Sequence, residues 1–338
     1  MKRAKGMRVQ ESVAKQLEYP EADASEETGG TDCVCEPMAQ MSLFATELEE
    51  RETAAAAWAR RGWGRRWVTS RGKTEGALMR EDLEDRLFEG DCLEVLPRFP
   101  AGSVDMVLCD LPYGTTQNKW DSVIPLDALW AEYRRVLKPG GVVALTSQGV
   151  FTARLILSNE EWFKYKLVWV KSKPTNFLNA KIQPLRKHED VCVFYSGRAT
   201  YRPVMGEGEP YDKGVRKDQL SGSYGDFRPV RVQSDGRRYP TDVVYFKTAE
   251  SEGEVWHPTQ KPVALGRYLI QTFTNPGDLV LDNAFGSGSF LVAAQLEGRH
   301  YVGIEKNDAM QRFKDKPVDC LALAERRLAE AWMPAGTP

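Results

Sequence analysis

From Arg86 onward, apolar residues recur in two alternating rhythms. Seven short runs read as strands: Arg86–Asp91, Val104–Cys109, Val142–Thr146, Lys164–Val170, Val191–Tyr195, Asp278–Asp282 and His300–Glu305. Between them the apolar spacing turns helical. Leu126, Leu129, Trp130, Tyr133, Val136 and Leu137 form one stripe, stopped by Lys138-Pro139-Gly140-Gly141. Phe151–Ser158, Pro262–Phe273 and Ser287–Leu296 continue the pattern, with Pro at the start of the second and Gly298 after the third. A helical turn through Leu93, Val95 and Leu96 is ended by Pro97 and Pro100, and a final helix covers about 318–332. Strand and helix in alternation imply right-handed crossovers and a mainly parallel sheet with helices on both faces.

Two stretches break the rhythm. Within residues 1–80, positions 18–36 are acidic and small, and a basic, aromatic run follows through Trp58, Arg60, Arg61, Trp63, Arg65, Arg66, Trp67, Arg71 and Lys73. Residues 18–36 lack the apolar content needed to offset ordering entropy, so the expectation is a poorly ordered extension; the basic part also suits a DNA backbone. Residues 171–245 hold fourteen Lys/Arg against nine Asp/Glu, with nine Phe/Tyr and many glycines. Basic, aromatic and loop-rich, this is the composition of a groove-probing module. The whole-chain charge of -2 does not argue against it, because distribution matters more than the sum.

Six cysteines without paired metal-ligand spacing and only three histidines make a zinc site unexpected. No run approaches the roughly 18 apolar residues of a membrane helix, and no secretory signal opens the chain, so it reads as cytoplasmic.

The candidate chemistry sits after two of the strands. Asp110-Leu111-Pro112-Tyr113-Gly114 follows the run 104–109, and Asp282-Asn283-Ala284-Phe285-Gly286-Ser287-Gly288 follows the run 279–281. Open α/β sheets bind ligands at the carboxyl ends of their strands. The glycines permit positive φ and close backbone approach, and the helix that follows offers unpaired N–H groups, which together make a nucleoside-sized niche. A full dinucleotide fingerprint and a phosphate-loop lysine are both missing. Glu305 ends the next strand, placed to accept from ribose hydroxyls. An exocyclic amine on a base is a poor nucleophile, because its lone pair is delocalised into the ring. Asp110 and the carbonyl of Leu111, fixed by Pro112, could accept its two N–H groups while Tyr113 offers a flat face. Neither a metal nor a covalent nucleophile is required; positioning provides most of the effect.

With these residues in place, 85 to about 308 resembles the β-type N6-adenine/N4-cytosine DNA methyltransferases, which use S-adenosylmethionine. Asp110–Tyr113 is similar to that family's D-P-P-Y, and Asp282–Gly288 to its D-P-F-x-G-x-G, with Asn283 and Ala284 where Pro and Phe are usual and Phe285 one place later. The catalytic segment comes first, the permuted order of the β subgroup. The resemblance implies a Rossmann-like methyltransferase fold with a mixed, mostly parallel seven-stranded sheet and a basic recognition insertion. It implies a catalytic half at 81–170, a target-recognition region at 171–255 and a cofactor half at 256–332. Asp110, Leu111, Pro112 and Tyr113 would be catalytic. The cofactor would be held by Asp91, Asp282, Ala284, Phe285, Gly286, Ser287, Gly288 and Glu305, with Thr259 and Lys261 of His257–Pro262 near its methionine portion. Gly114–Asp121 would be a mobile loop over the site. Lys181, Arg186 and Lys187 could contact phosphates, and Asn179 or Gln183 could read base edges. His188 reads as structural, and Trp169 as core or as a wall of the base pocket. The expected activity is site-specific methylation of adenine N6 in duplex DNA after base flipping, since N4-cytosine relatives more often carry Ser in place of Asp. An N4-cytosine enzyme, or a DNA-binding protein keeping the fold without chemistry, are the alternatives. A homodimer and a cognate restriction endonuclease would be possible partners.

Overall fold

The computed structural model describes residues 78–115, 121–215, 231–307, 312–313 and 316–332. In chain order its elements are β1 (Arg86–Glu89), α1 (Cys92–Val95), β2 (Val104–Cys109), α2 (Leu126–Val136), β3 (Leu137–Ser147), α3 (Val150–Leu157), β4 (Phe163–Thr175) and β5 (Arg186–Phe194). Next come the short strands β6 (Gly206–Glu207), β7 (Tyr211–Val215), β8 (Arg231–Ser234) and β9 (Arg237–Arg238). The series ends with β10 (Val243–Phe246), α4 (Val263–Phe273), β11 (Leu279–Asp282), α5 (Ser289–Leu296), β12 (His300–Glu305) and α6 (Cys320–Trp332). The extension at 1–80, including its basic aromatic arm, lies outside the described residues except for its last three.

The main sheet runs β1-β12-β11-β2-β3-β5-β4-β10. Its neighbours pair in parallel except where β5 meets β3 and β4. The sequence predicts seven strands and the sheet has eight. The added strand is β10, inside the stretch expected to be a recognition region. Its apolar run pairs with β4, setting Val244 opposite Trp169 and burying Val244 and Phe246. β5 starts at Arg186, five residues before the apolar run from which it was predicted, because the ladder with β4 continues through Val170↔His188 to Thr175↔Arg186.

Each central strand feeds two cores, since side chains alternate across a pleated strand. Met106, Leu108, Val142 and Val280 join α4, α5 and α6 on one face. Val107, Cys109, Val143, Leu145 and Leu281 join α1, α2 and α3 on the other. α1 is started by Asp91, whose carboxylate accepts the Leu93 N–H at 2.9 Å and satisfies a donor that the helix leaves unpaired. No helix among the described residues is long and apolar enough to cross a membrane.

At the amino end of the sheet Asp105 clamps the two halves of the chain. Its Oδ2 accepts the backbone N–H of Leu279, 174 residues away, at 2.9 Å, and Lys138 reaches Oδ1 at 2.6 Å. Arg80 adds a third contact at 3.2 Å. This fixes β11 beside β2, and so decides which residues meet at the opposite, carboxyl edge.

Candidate active site

β2 and β11 lie side by side in parallel, with Val280 opposite Met106 and Leu281 opposite Val107. Asp110 and Asp282 therefore stand on adjoining strand tips. Together with Gly90, Asp91, Tyr113, Gly286 and Glu305 they line one cavity of about 180 Å³. The two segments farthest apart in the motif order meet there.

Asp110 is held on both oxygens. Lys261 donates to Oδ2 at 2.7 Å; the Tyr113 hydroxyl donates to Oδ1 at 2.7 Å, and the hydroxyl of Thr146 donates to that oxygen as well. Lys261 also lies 3.4 Å from Glu189, which accepts from Lys171 at 3.0 Å. The result is a chain of alternating charge, Asp110–Lys261–Glu189–Lys171. Burial opposes the ammonium of Lys261, but Asp110 and Glu189 outweigh it and hold its pKa above the ordinary lysine value. Burial likewise opposes the Glu189 charge, and Lys261 and Lys171 still hold that carboxyl below its usual value. Lys171 is 3% exposed, so its partner matters. Glu189→Ala is expected to remove about 3–5 kcal/mol of folding stability, because it strands a buried charge. Urea unfolding measures this, and a loss below about 1 kcal/mol would mean that solvent screens the pair.

The ring of Tyr113 stacks on Phe151, with centroids 5.0 Å apart, while the Lys261 ammonium lies 5.5 Å from its centroid. Burial and the charges of Asp110 and Glu189 raise its pKa, so the phenol stays protonated. Tyr113 also lines the cavity. Leu111 is 3% exposed, and Pro112 lines the cavity beside it.

On the β11 side, Gly286 and Gly288 adopt φ of 49° and 72°. The Gly286 N–H donates to Glu305 at 2.7 Å, so the last residue of β12 supports the glycine turn. A side chain at Gly288 would come within 2.9 Å of Ala324, which shows how closely α6 packs beneath. Arg327 of α6 donates to the Ser287 carbonyl at 2.6 Å. Phe285 packs into the core against Gly303 and also lines the cavity. Asn283 is 2% exposed and accepts from Tyr133 at 2.5 Å, which anchors the turn to α2. Thr259 lies 3.2 Å from the Nδ1 of His257, and the His257 ring sits beneath Gly286.

Five carboxyls line this cavity (Asp91, Asp110, Asp121, Asp282 and Glu305), against Lys261 and Lys306. Burial, then the charges on Asp110 and Glu305, push Asp282 up to about 8. Contacts with Cys109 and the Ala284 N–H pull the other way and do not cancel it. Its folded value exceeds the ordinary 3.8, so the protonated acid favours the fold. That advantage is complete below pH about 4 and is lost as pH climbs toward 8. In the absence of ligand, Asp282→Asn should therefore melt increasingly above wild type across that window. A thermal-unfolding series against pH tests it; a constant difference would refute the protonated acid. An excess of carboxyls suits a cationic ligand, whose charge would favour ionised Asp282.

The residues expected to meet the target occupy the β4–β5 connection and the start of β5. Lys181, Gln183, Arg186 and Lys187 are exposed there. Asn179 is half-buried, and its amide donates to Asn176 at 2.7 Å. Trp169 is core, its indole N–H donating to the Phe246 carbonyl at 3.0 Å. His188 is exposed, and its carbonyl accepts from Gln148. Of the expected loop 114–121, residues 116–120 lie outside the described set. Asp121 joins the two ends of that loop through the N–H groups of Gly114 and Thr115. Sequence reading passed over Thr146, Lys171 and Glu189. Thr146 carried a signal, as a polar tip on the strand beside β2. Glu189 was hidden by the late start assigned to its strand.

An acid and a glycine turn thus stand on adjoining tips of a mostly parallel sheet, where open α/β folds bind their ligands. Residues 104–313 match the N6_N4_Mtase family, described as DNA methylase, and the chain belongs to that family. Its members are DNA methyltransferases that use S-adenosylmethionine. The chain is 25% identical over 291 residues to the type II methyltransferase M.HinfI of Haemophilus influenzae, covering 75% of this chain and 71% of that protein. Among solved structures, the M1.HpyAVI–SAM complex is 20% identical with a TM-score of 0.49, covering 72% of this chain and 98% of that one. The PvuII cytosine-N4-specific DNA methyltransferase is 16% identical with a TM-score of 0.48, covering 72% and 92%.

Proposed function

We propose that this DNA methyltransferase modifies the N6 amine of adenine at a defined sequence in duplex DNA, with the target base turned out of the helix. The observation that carries this reading is the meeting of Asp110 and the Gly286 turn at one cavity. S-adenosylmethionine supplies, when bound, an electrophilic methyl group on a positively charged sulfur. Asp282, Ala284, Phe285, Gly286, Ser287 and Gly288 would form its bed, with Glu305 at the ribose and Asp91 at the adenine; the carboxyl-rich lining suits its charge. Lys261, bound to Asp110 and Glu189, would act more on the acid than on the cofactor, whereas Thr259 stays near the cofactor side.

The acceptors do the remaining work. A carboxylate has room for about four hydrogen bonds, so Asp110 can take an amine N–H beside its existing donors. The Leu111 carbonyl takes the other N–H. Held this way, the nitrogen can pyramidalise and present its lone pair, and Asp110 is placed to accept the proton released afterwards. Lys261, Thr146 and Tyr113 orient the carboxylate, so its geometry is set before the base arrives. The insertion at 171–255 would read the sequence. A cognate endonuclease and a second copy of the chain belong to the same reading as partners.

The test is to methylate duplex DNA with a labelled cofactor, hydrolyse it and identify the modified nucleoside. N6-methyladenosine in its deoxy form is expected. N4-methylcytosine would move the chain to the other branch of its family, and no transfer to any DNA would overturn the reading.

A further inference from the structure

Between β4 and β5 the chain turns its large apolar side chains outward. Phe177, Leu178 and Ile182 are 75%, 85% and 81% exposed. Single exposed apolar residues need no explanation, but a cluster of large ones marks a surface that something covers. The backbone beneath them is tied down. The N–H groups of Ile182 and Gln183 both donate to the Asn179 carbonyl at 3.0 Å, and Asn179 itself is bonded to Asn176. The turn thus holds these groups away from the core.

Charge and position narrow the occupant. Residues 172–188 carry Lys173, Lys181, Arg186 and Lys187 and no Asp or Glu. β4 ends and β5 begins at the same sheet edge as Asp110. Arg186 donates to Gln148, just beyond β3, at 3.1 Å. Glu189, three residues after Arg186, pairs with the lysine that holds Asp110.

We propose that Phe177, Leu178 and Ile182 form a wedge that enters the stack of duplex DNA beside the target and fills the gap left by the departed base. This rests on the reading of the chain as a base-extruding DNA methyltransferase. A base that leaves the duplex exposes the faces of its neighbours and orphans its pairing partner. Apolar side chains pushed into the gap cover those faces, as they do in proteins that kink DNA. The flanking cations meet phosphates on either side, and the lack of carboxylates removes the repulsion that a polyanion would otherwise feel. The wedge stabilises the opened duplex, whereas the Asp110 network acts on the base once it is out.

The test is a triple variant, Phe177→Ser, Leu178→Ser and Ile182→Ser, which changes only exposed positions. On matched duplex, methyl transfer should fall about 30-fold, the scale of one to two lost stacking contacts. On a duplex with an abasic site opposite the target, where opening is already cheap, the variant should stay within about threefold of wild type. Fluorescence of 2-aminopurine at the target should rise with wild type and stay low with the variant. Equal rates on the two duplexes, or an equal loss on both, would overturn the wedge. So would a sedimentation shift from dimer to monomer, which would make the tip a contact between copies. If wild type methylates neither duplex, the underlying DNA reading fails instead, a result distinct from failure of the wedge alone.

Discussion

Replacing Asp110 with alanine should lower methyl transfer by about 10³-fold or more while cofactor binding survives. On the proposed reading, the change removes the acceptor that would hold the amine and the group placed to take its proton. It also releases the hydroxyls of Tyr113 and Thr146 and the ammonium of Lys261 from their shared partner. Lys261 is not stranded, because Glu189 still lies 3.4 Å away, so the fold and the opposite side of the cavity should hold. Asp110→Asn preserves shape and removes charge; it should lose nearly as much, because its amide nitrogen would face an amine and a lysine with donors alone. Radiolabelled methyl transfer gives the rate and calorimetry the cofactor affinity. Near-normal activity in either variant would remove Asp110 from the chemistry.

Gly286→Val should have the opposite signature, with cofactor affinity falling about 100-fold and the fold retained. A β-branched residue at φ of 49° is strained, by roughly 1–3 kcal/mol for a backbone held in such a region. Its Cβ would already touch the His257 ring at 3.6 Å, so the branches must point into the cavity or displace that ring. Either way the N–H that Gly286 donates to Glu305 is disturbed, and with it the acid expected at the ribose. Gly286→Ala should fall between the two, since it adds strain without the branches. Equilibrium dialysis with labelled cofactor decides the matter; unchanged affinity in the valine variant would place the cofactor elsewhere.

How much of this could be read beforehand follows from the range of the forces involved. Asp110–Tyr113 and Asp282–Gly288 announce themselves because a strand, an acid and a constrained turn are local features. Their neighbourhood could be inferred because a parallel sheet aligns its carboxyl ends. The alternating charges beyond Asp110 could not. Lys261 meets Glu189 only because antiparallel β5 delivers it from the far side, and Glu189 preceded the apolar run that marked the strand. β10 was equally hidden: four apolar residues in a basic, glycine-rich stretch become a strand only where the edge of β4 is there to receive them. The bond from Asn179 to Asn176 was equally out of reach, because residue type alone does not say which partner a loop amide finds. The ring neighbours of Tyr113 were hidden in the same way, because Phe151 and Lys261 come from distant parts of the chain.

The Asp105 clamp has a bearing on how this protein comes into being. The acid leaves the ribosome first, and the backbone group it must grip follows 174 residues later. Until then β2 lacks the neighbour that carries the glycine turn, so a nascent chain holds its reactive carboxylate with nowhere to seat a methyl donor. Seating the donor therefore waits for the strand that begins at Leu279, and chains truncated before it should be inert toward DNA.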